Sequence, residues 1–484
     1  MTRVAARTCL AIAAALAALA GGGYALASGR AATAVSAPVL RVWPEFGLDP
    51  QRSNATDLST GITAANLGQL SSRTIALPGT VDSSPIYLHG AAVAGGRHDT
   101  AFVTTDYGIT VALDATSGKI LWTFAPRGRH AWLGSGQVTT SSPILDPDQR
   151  YLYATSPNGV IHKLAIEDGR EQPGWPVRIT PTPDREKLTA SLNISGGYLL
   201  ASTGGYYGDA PPYVGHIVAI SLTDHKVAYV FNTLCADRDT IIMPSSCSAS
   251  DSAILSRSGP VVEPGGGRVL IATGNGPYNG TTDFGDSVIE LTLPTLKLRQ
   301  AYTPTDQAKL NSGDLDLGSG SPAILPGGLA WIAGKDGIQR VLNLSALDGS
   351  APGTPPHTGG ELQTLPTPAG QQLFTAPAVW GKLMFVADDG GTTAYRVSGG
   401  HMHELWSNGT AGTSPIVAGG LLYVYNPGGS LVVYRPASGR VLATLQAASG
   451  HWNSPIVVDG HIIVPTGNDN DHLTSGSLEI YSAR

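Results

Sequence analysis

One unit recurs along this chain, and the recurrence restricts the fold more than any other feature. VTTDYGITVALDATSGKILWTF (103–124) and LYVYNPGGSLVVYRPASGRVLATL (422–445) share one order: strand, Gly-containing turn, strand, a turn ending in Ser-Gly-Lys or Ser-Gly-Arg, strand. YATSPNGVIHKLAIEDGREQ (153–172) is a third copy. A small residue and a proline precede each unit, at Ser84-Pro85, Ser142-Pro143, Gly259-Pro260, Ser321-Pro322, Ala376-Pro377, Ser414-Pro415 and Ser454-Pro455. SLNISGGYLLAS, near residue 191, is an eighth, divergent start. The last two intervals, 38 and 40 residues, fit a four-stranded propeller blade, and the longer earlier ones predict insertions in blades 1 to 5.

The expected fold is therefore all-β, one eight-bladed β-propeller of four-stranded antiparallel blades. Composition agrees: 61 Gly and 34 Pro against 14% charged residues favour short strands and tight turns over amphipathic helices. Such a sheet is apolar on both faces, so it is buried only by stacking against neighbours around a ring. Trp122, Tyr229, Tyr302 and Trp406 recur at the fourth strand and read as packing between blades rather than ligand contacts. The final unit, from His451, holds three strands and then stops. RTIALPG (73–79), ahead of the first unit, resembles fourth strands elsewhere, so an N-terminal strand is expected to close the last blade.

Residues 1–27 read as a signal peptide: Arg3 and Arg7, an apolar run Leu10 to Ala20, then Ala25-Leu26-Ala27. Eleven apolar residues are short for a membrane span, although an uncleaved anchor is the alternative. Residues 28–40 read as a flexible tail and 41–484 as the propeller domain, with no transmembrane segment expected in the mature chain. An exported, periplasmic or extracellular chain allows disulfides. Cys235 and Cys247 remain after the leader and read as a disulfide, two buried free thiols being the alternative. No run of Lys or Arg follows the leader and the net charge is −6, which excludes a nucleic-acid footprint.

ALDATSGKILW (112–122) resembles the repeat of pyrroloquinoline-quinone (PQQ) enzymes, and the resemblance runs from about residue 42 onward. The head, VWPEFGLDPQRSNATDLSTGITAANLGQL, is similar to the opening of quinoprotein alcohol dehydrogenases. TGNGPYNG (273–280), GDS (285–287) and DLDLGSGSP (314–322) resemble the stretches that carry their cofactor site. The resemblance implies PQQ over the channel, calcium beside it and an aspartate base. It implies Asn275 and Asp316 as metal ligands, Asp316 or Asp314 as the base, and Lys335 and Asn275 as cofactor contacts. Propeller topology places all four on one rim, because second-to-third turns share a face with the connections between blades. Asp carboxylates and Asn amides are the hard oxygen ligands calcium takes. Each residue alone equally fits a local role: Asn275 as a turn residue, since TGN recurs at 466–468, and Asp314 and Asp316 as Asx-turn residues.

The sequence departs from that family in two places. Its adjacent Cys-Cys pair is absent, and its Glu metal ligand has no counterpart in GGYYGDAPPY, where Asp209 stands nearest. No haem motif, nucleophile elbow, Walker loop or H-E-x-x-H is present. His401-x-His403 alternates on a strand and reads as solvated, lacking a third ligand. Two functions stand. One is a PQQ- and calcium-dependent oxidoreductase acting on a small-molecule alcohol or sugar. The other is a non-catalytic propeller scaffold that binds envelope or extracellular proteins.

Overall fold

The computed structural model describes residues 38–206 and 210–483; the expected leader, most of the expected tail, and Asp209 lie outside the described residues. Eight antiparallel sheets form the ring, and the described residues hold one α-helix, Gln307–Ser312. The innermost strands begin just after the repeated prolines, as in Ile86–Val93, Ile416–Ala418 and Ile456–Val458, and SLNIS supplies the third as Asn193–Ser195. The closing strand is as expected. Ser71–Leu77 pairs with Gly476–Ser482, Ile75 opposite Leu478, and completes the last blade.

Blades are stapled by their aromatics. Trp122 is buried and donates its indole N–H to the Ile166 carbonyl of the next blade, 2.8 Å away; Trp406 does the same to Pro436 at 2.7 Å. The turn that receives Trp122 needs Gly169, at φ +71°, because a Cβ there would stand 2.6 Å from the indole. Tyr302, fully buried, packs in the apolar cluster shared with blade 5.

The head of the domain does something the repeat pattern does not announce. Val42–Trp43 adds to the inner strand of blade 1, and Ala55–Thr56 runs parallel to the inner strand of blade 7. Between them the chain crosses the axis and offers carbonyls to blade after blade: Pro44 to Leu145 N–H, Pro50 to Val262, Ser53 to Val379 and Asn54 to Val417, all at 2.8–2.9 Å. Val39 and Leu40, at the end of the stretch expected as tail, join in by pairing with Ser59. Trp43 and Phe46 are buried, and Arg52 forms a 2.6 Å ion pair with Glu45 that is almost wholly enclosed. This plug lies beyond the prolines, toward the first-to-second turns, and so leaves the opposite rim open.

Candidate functional site at the open rim

The open rim is built by the connections between blades and the second-to-third turns. Asp314 and Asp316 follow the short helix in the connection entering blade 5, and Lys335 sits in that blade's turn between Leu329–Ala333 and Ile338–Asn343. Asn275 lies in the long turn of blade 4, between Arg268–Ala272 and Val288–Thr292. The structure brings these four together. Lys335 Nζ is 2.5 Å from Asp316 Oδ2 and 3.1 Å from Asp314 Oδ1. The other Asp316 oxygen accepts the Asn275 backbone N–H at 2.7 Å, so the contact comes from the main chain of Asn275 and not its amide. Gly274 permits it, since a Cβ there would strike that carboxylate.

Burial and pairing together set the electrostatics. Asp316 is 2% exposed, and desolvation raises its pKa despite the opposing pull of Lys335 and the Asn275 N–H. Burial works against the Lys335 charge too, but Asp316 and then Asp314 outweigh it and raise the ammonium pKa. Behind the pair stands Asp286, whose carboxylate accepts Leu317 N–H at 3.2 Å and the Gln307 amide at 3.4 Å. Burial, with Asp316 nearby, pushes it up to about 8. Asp286 therefore clasps the connection that carries Asp316. It belongs to the GDS stretch, but its position in sequence gave no sign of that clasp.

A second charged group faces the first across the axis. Lys187 Nζ pairs with Asp469 Oδ2 at 2.5 Å; Arg257 lies 3.3 Å and His451 2.6 Å from Asp82 Oδ2. Burial alone would raise Asp469, yet Lys187, His451 and Arg257 hold it well below the carboxylate range. Burial opposes the imidazolium of His451, but Asp82 and Asp469 outweigh it and raise its pKa. Asp106 goes the other way, pushed well up by burial and then by Asp82 and Asp469. Trp452 stacks on Phe374 at 4.3 Å and on His451 at 3.7 Å, and the Arg257 guanidinium lies 5.0 Å from its ring centre. Between the two groups is a well of about 270 Å³, lined among others by Asp316, Lys335, Arg257, Thr189, Phe374 and Trp452. Lys187, Tyr206, Asp469 and Asn470 are shared with an adjoining hollow of about 370 Å³. None of Lys187, Arg257, Phe374, Trp452 or Asp469 was picked out from sequence; Arg257, Phe374 and Trp452 each stand two residues ahead of a proline-led start, where the repeat marks the blade and not the well.

Other features stay outside the well. Cys235 and Cys247 form a disulfide, Cα atoms 6.1 Å apart, that ties the long connection bringing Arg257 to the rim. His401 and His403 are exposed, their ring centres 6.5 Å apart, and join no metal-type cluster among the described residues. Ser156, His162 and Glu171 have the spacing of a hydrolytic triad, 2.7 Å and 2.5 Å. Ser156 is fully buried, however, in van der Waals conflict with any Cβ added at Gly108, and lines neither hollow.

A family model described as outer membrane protein assembly factor BamB matches residues 62–276 and 386–477. No curated protein matches the chain. Among solved structures, the quinohemoprotein alcohol dehydrogenase of Comamonas testosteroni superposes with a TM-score of 0.67 at 14% identity, over 91% of this chain and 80% of that one. A europium-containing methanol dehydrogenase gives 0.66 at 12%, over 92% and 98%. BamB from Moraxella catarrhalis gives 0.55 at 13%, over 85% and 99%. Identities this low speak for fold alone. The family model spans more than half of the chain, and with eight four-stranded blades of one repeat this chain belongs to that family of PQQ-repeat propellers.

Proposed function

We propose that the chain is a quinoprotein-like oxidoreductase whose well takes a flat, carboxylate-bearing quinone of the PQQ type and whose Asp316 acts as base toward an alcohol or sugar. The observation that carries this reading is the buried Asp316–Lys335 pair at the edge of a well walled by aromatic rings. The donor set suits such a ligand. The Trp452–Phe374 stack offers a ring face, and Arg257, Lys187 and Lys335 offer cations for carboxylates. Thr189 lines the well, and its hydroxyl is buried without a partner. Calcium does not fit these residues: both Asp316 oxygens and the nearer Asp314 oxygen already face Lys335 or the Asn275 N–H, which leaves only the second Asp314 oxygen and the Asn275 amide toward the roughly six to eight it takes.

A bound quinone would supply the two-electron acceptor. The chain's own residues then bind and move a proton. Asp316 Oδ2 is the acceptor for a substrate hydroxyl proton, and its raised pKa makes it a better base than an exposed carboxylate. Lys335 holds the carboxylate in place and keeps a positive charge beside it after the transfer. Trp452 and Phe374 give the same well an apolar wall.

The scaffold reading draws on the description of the family model, an assembly factor, and on the structural likeness to BamB. It requires no ligand in the well. Purified protein mixed with PQQ decides between them. Binding at a hundredfold excess over Kd should stabilise the fold by about 2.7 kcal/mol, and dye-linked oxidation of alcohols or sugars should follow. Asp316→Asn should abolish turnover while leaving binding within a few-fold. If PQQ leaves the melting temperature unchanged, the enzyme reading is wrong and the scaffold reading takes its place.

We also place the chain outside the cytoplasm, in the periplasm or beyond the cell. The disulfide supports this, as does the short apolar run with its Ala25-Leu26-Ala27 end. N-terminal sequencing of the natural product should begin near Ser28; an intact Met1 terminus in the membrane fraction would count against it.

A further inference from the structure

We infer that the ammonium of Lys335 takes the part of a bound divalent cation at Asp316, so that the well is served by a cation the chain itself carries and not by calcium.

Calcium asks for roughly six to eight oxygens. Of the two oxygens of Asp316, Oδ1 accepts the Asn275 N–H at 2.7 Å and Oδ2 meets Lys335 Nζ at 2.5 Å. Asp314 turns its Oδ1 to the same ammonium at 3.1 Å, with 64% of its side chain in solvent. Asp286 is fully buried and faces the Leu317 N–H and the Gln307 amide. No further described carboxylate is brought to the pair by any hydrogen bond. Two clusters of metal-ligand type exist among the described residues, Asp82–His451–Asp469 and His89–Asp99–Asp459, and neither contains Asp316. The first is already met by Lys187 and Arg257. In the second, Arg41 lies 2.5 Å from the Nε2 of His89, leaving Nδ1 to bond the two carboxylates.

Two carboxylates converging on one cation is the arrangement a metal would impose. Here a tethered ammonium imposes it, and it brings no demand for further oxygen ligands. The turn Ala333–Ile338 fixes Lys335 further, through its own N–H to the Asp316 carbonyl at 3.0 Å. This deepens the proposed function, since it names the cation that serves the same base, but its test needs no quinone.

Chelator-stripped protein is titrated with calcium alone and with terbium as a luminescent substitute, and melting is followed with and without 1 mM calcium, a concentration of roughly the weakest extracellular calcium sites. Wild-type protein should bind no stoichiometric ion and melt at the same temperature in both. Lys335→Met frees Asp316 Oδ2 and Asp314 Oδ1; with the competing ammonium gone and water filling the remaining positions, calcium affinity should rise at least tenfold, seen as calcium-dependent melting. Asp316→Asn in that background should remove the gain. Lys335→Gln serves as the second variant should the methionine disturb folding. One calcium bound by wild type and lost in Asp316→Asn overturns the inference, as does a Lys335 variant that stays indifferent to calcium. Failure of PQQ to bind, with these metal results as expected, would remove the oxidoreductase reading and leave the ion-pair assignment standing.

Discussion

Replacing Arg52 by alanine tests whether the plug is structural to the ring. The Arg52 side chain is 1% exposed, and its guanidinium makes three bonds: to Glu45 Oε2 at 2.6 Å, to the Phe46 carbonyl at 2.7 Å and to the Leu192 carbonyl at 2.5 Å. Alanine leaves a buried carboxylate and two carbonyls without that donor. Breaking a buried ion pair by removing one partner costs about 3–5 kcal/mol, a large share of the roughly 5–15 kcal/mol that a folded domain has in hand. The pH dependence gives a second handle. Burial raises Glu45 from 4.5 to about 7 even with Arg52 present. The folded state thus holds a proton that the unfolded state has released between those values, and this group's contribution falls by about 3 kcal/mol as pH rises through the window. Without Arg52 the window extends upward, so the variant's deficit should be smaller at pH 5 than at pH 8. Urea unfolding followed by tryptophan fluorescence at both values measures it. Glu45→Gln in the Arg52→Ala background should recover part of the loss at pH 8. A deficit below about 1 kcal/mol at pH 8, or one that grows on acidification, refutes the reasoning.

Gly169→Ala should cost about 3 kcal/mol, combining left-handed strain at φ +71° with a Cβ 2.6 Å from the Trp122 ring. Gly399→Ala, at φ +59° with open space around it, should cost about 1 kcal/mol, so equal losses in denaturant titrations would deny the tryptophan staple. If Asp316 is the base, turnover should fall on acidification at a higher pH than an ordinary aspartate allows, because its folded pKa is raised; a profile flat down to the usual carboxylate range would exclude it.

What repetition encodes was legible in the sequence. The proline-led starts marked the inner strands, and the missing fourth strand of the last unit pointed to Ser71–Leu77. Topology alone brought Asn275, Asp314, Asp316 and Lys335 to one rim, because a residue's place in the blade order fixes its face of the ring. What remained hidden are contacts across the axis. Lys187 meets Asp469 from 282 residues away and Arg257 meets Asp82 from 175, and nothing in local spacing couples such positions. The plug was hidden for a related reason. Its carbonyls are satisfied one at a time by different blades, so it carries no strand alternation to read.

The closing strand also sets an order of events during synthesis. Thr74 bonds Glu479 across 405 residues, so the strand that emerges before blade 1 has no partner until the last blade exists. The plug waits likewise, since its hydrogen bonds run to blades as late as Val417 and Asp459. A growing chain therefore carries its clasp unfastened from the first strand to the last, and the ring locks in a single late step. Contacts this distant make for slow closure.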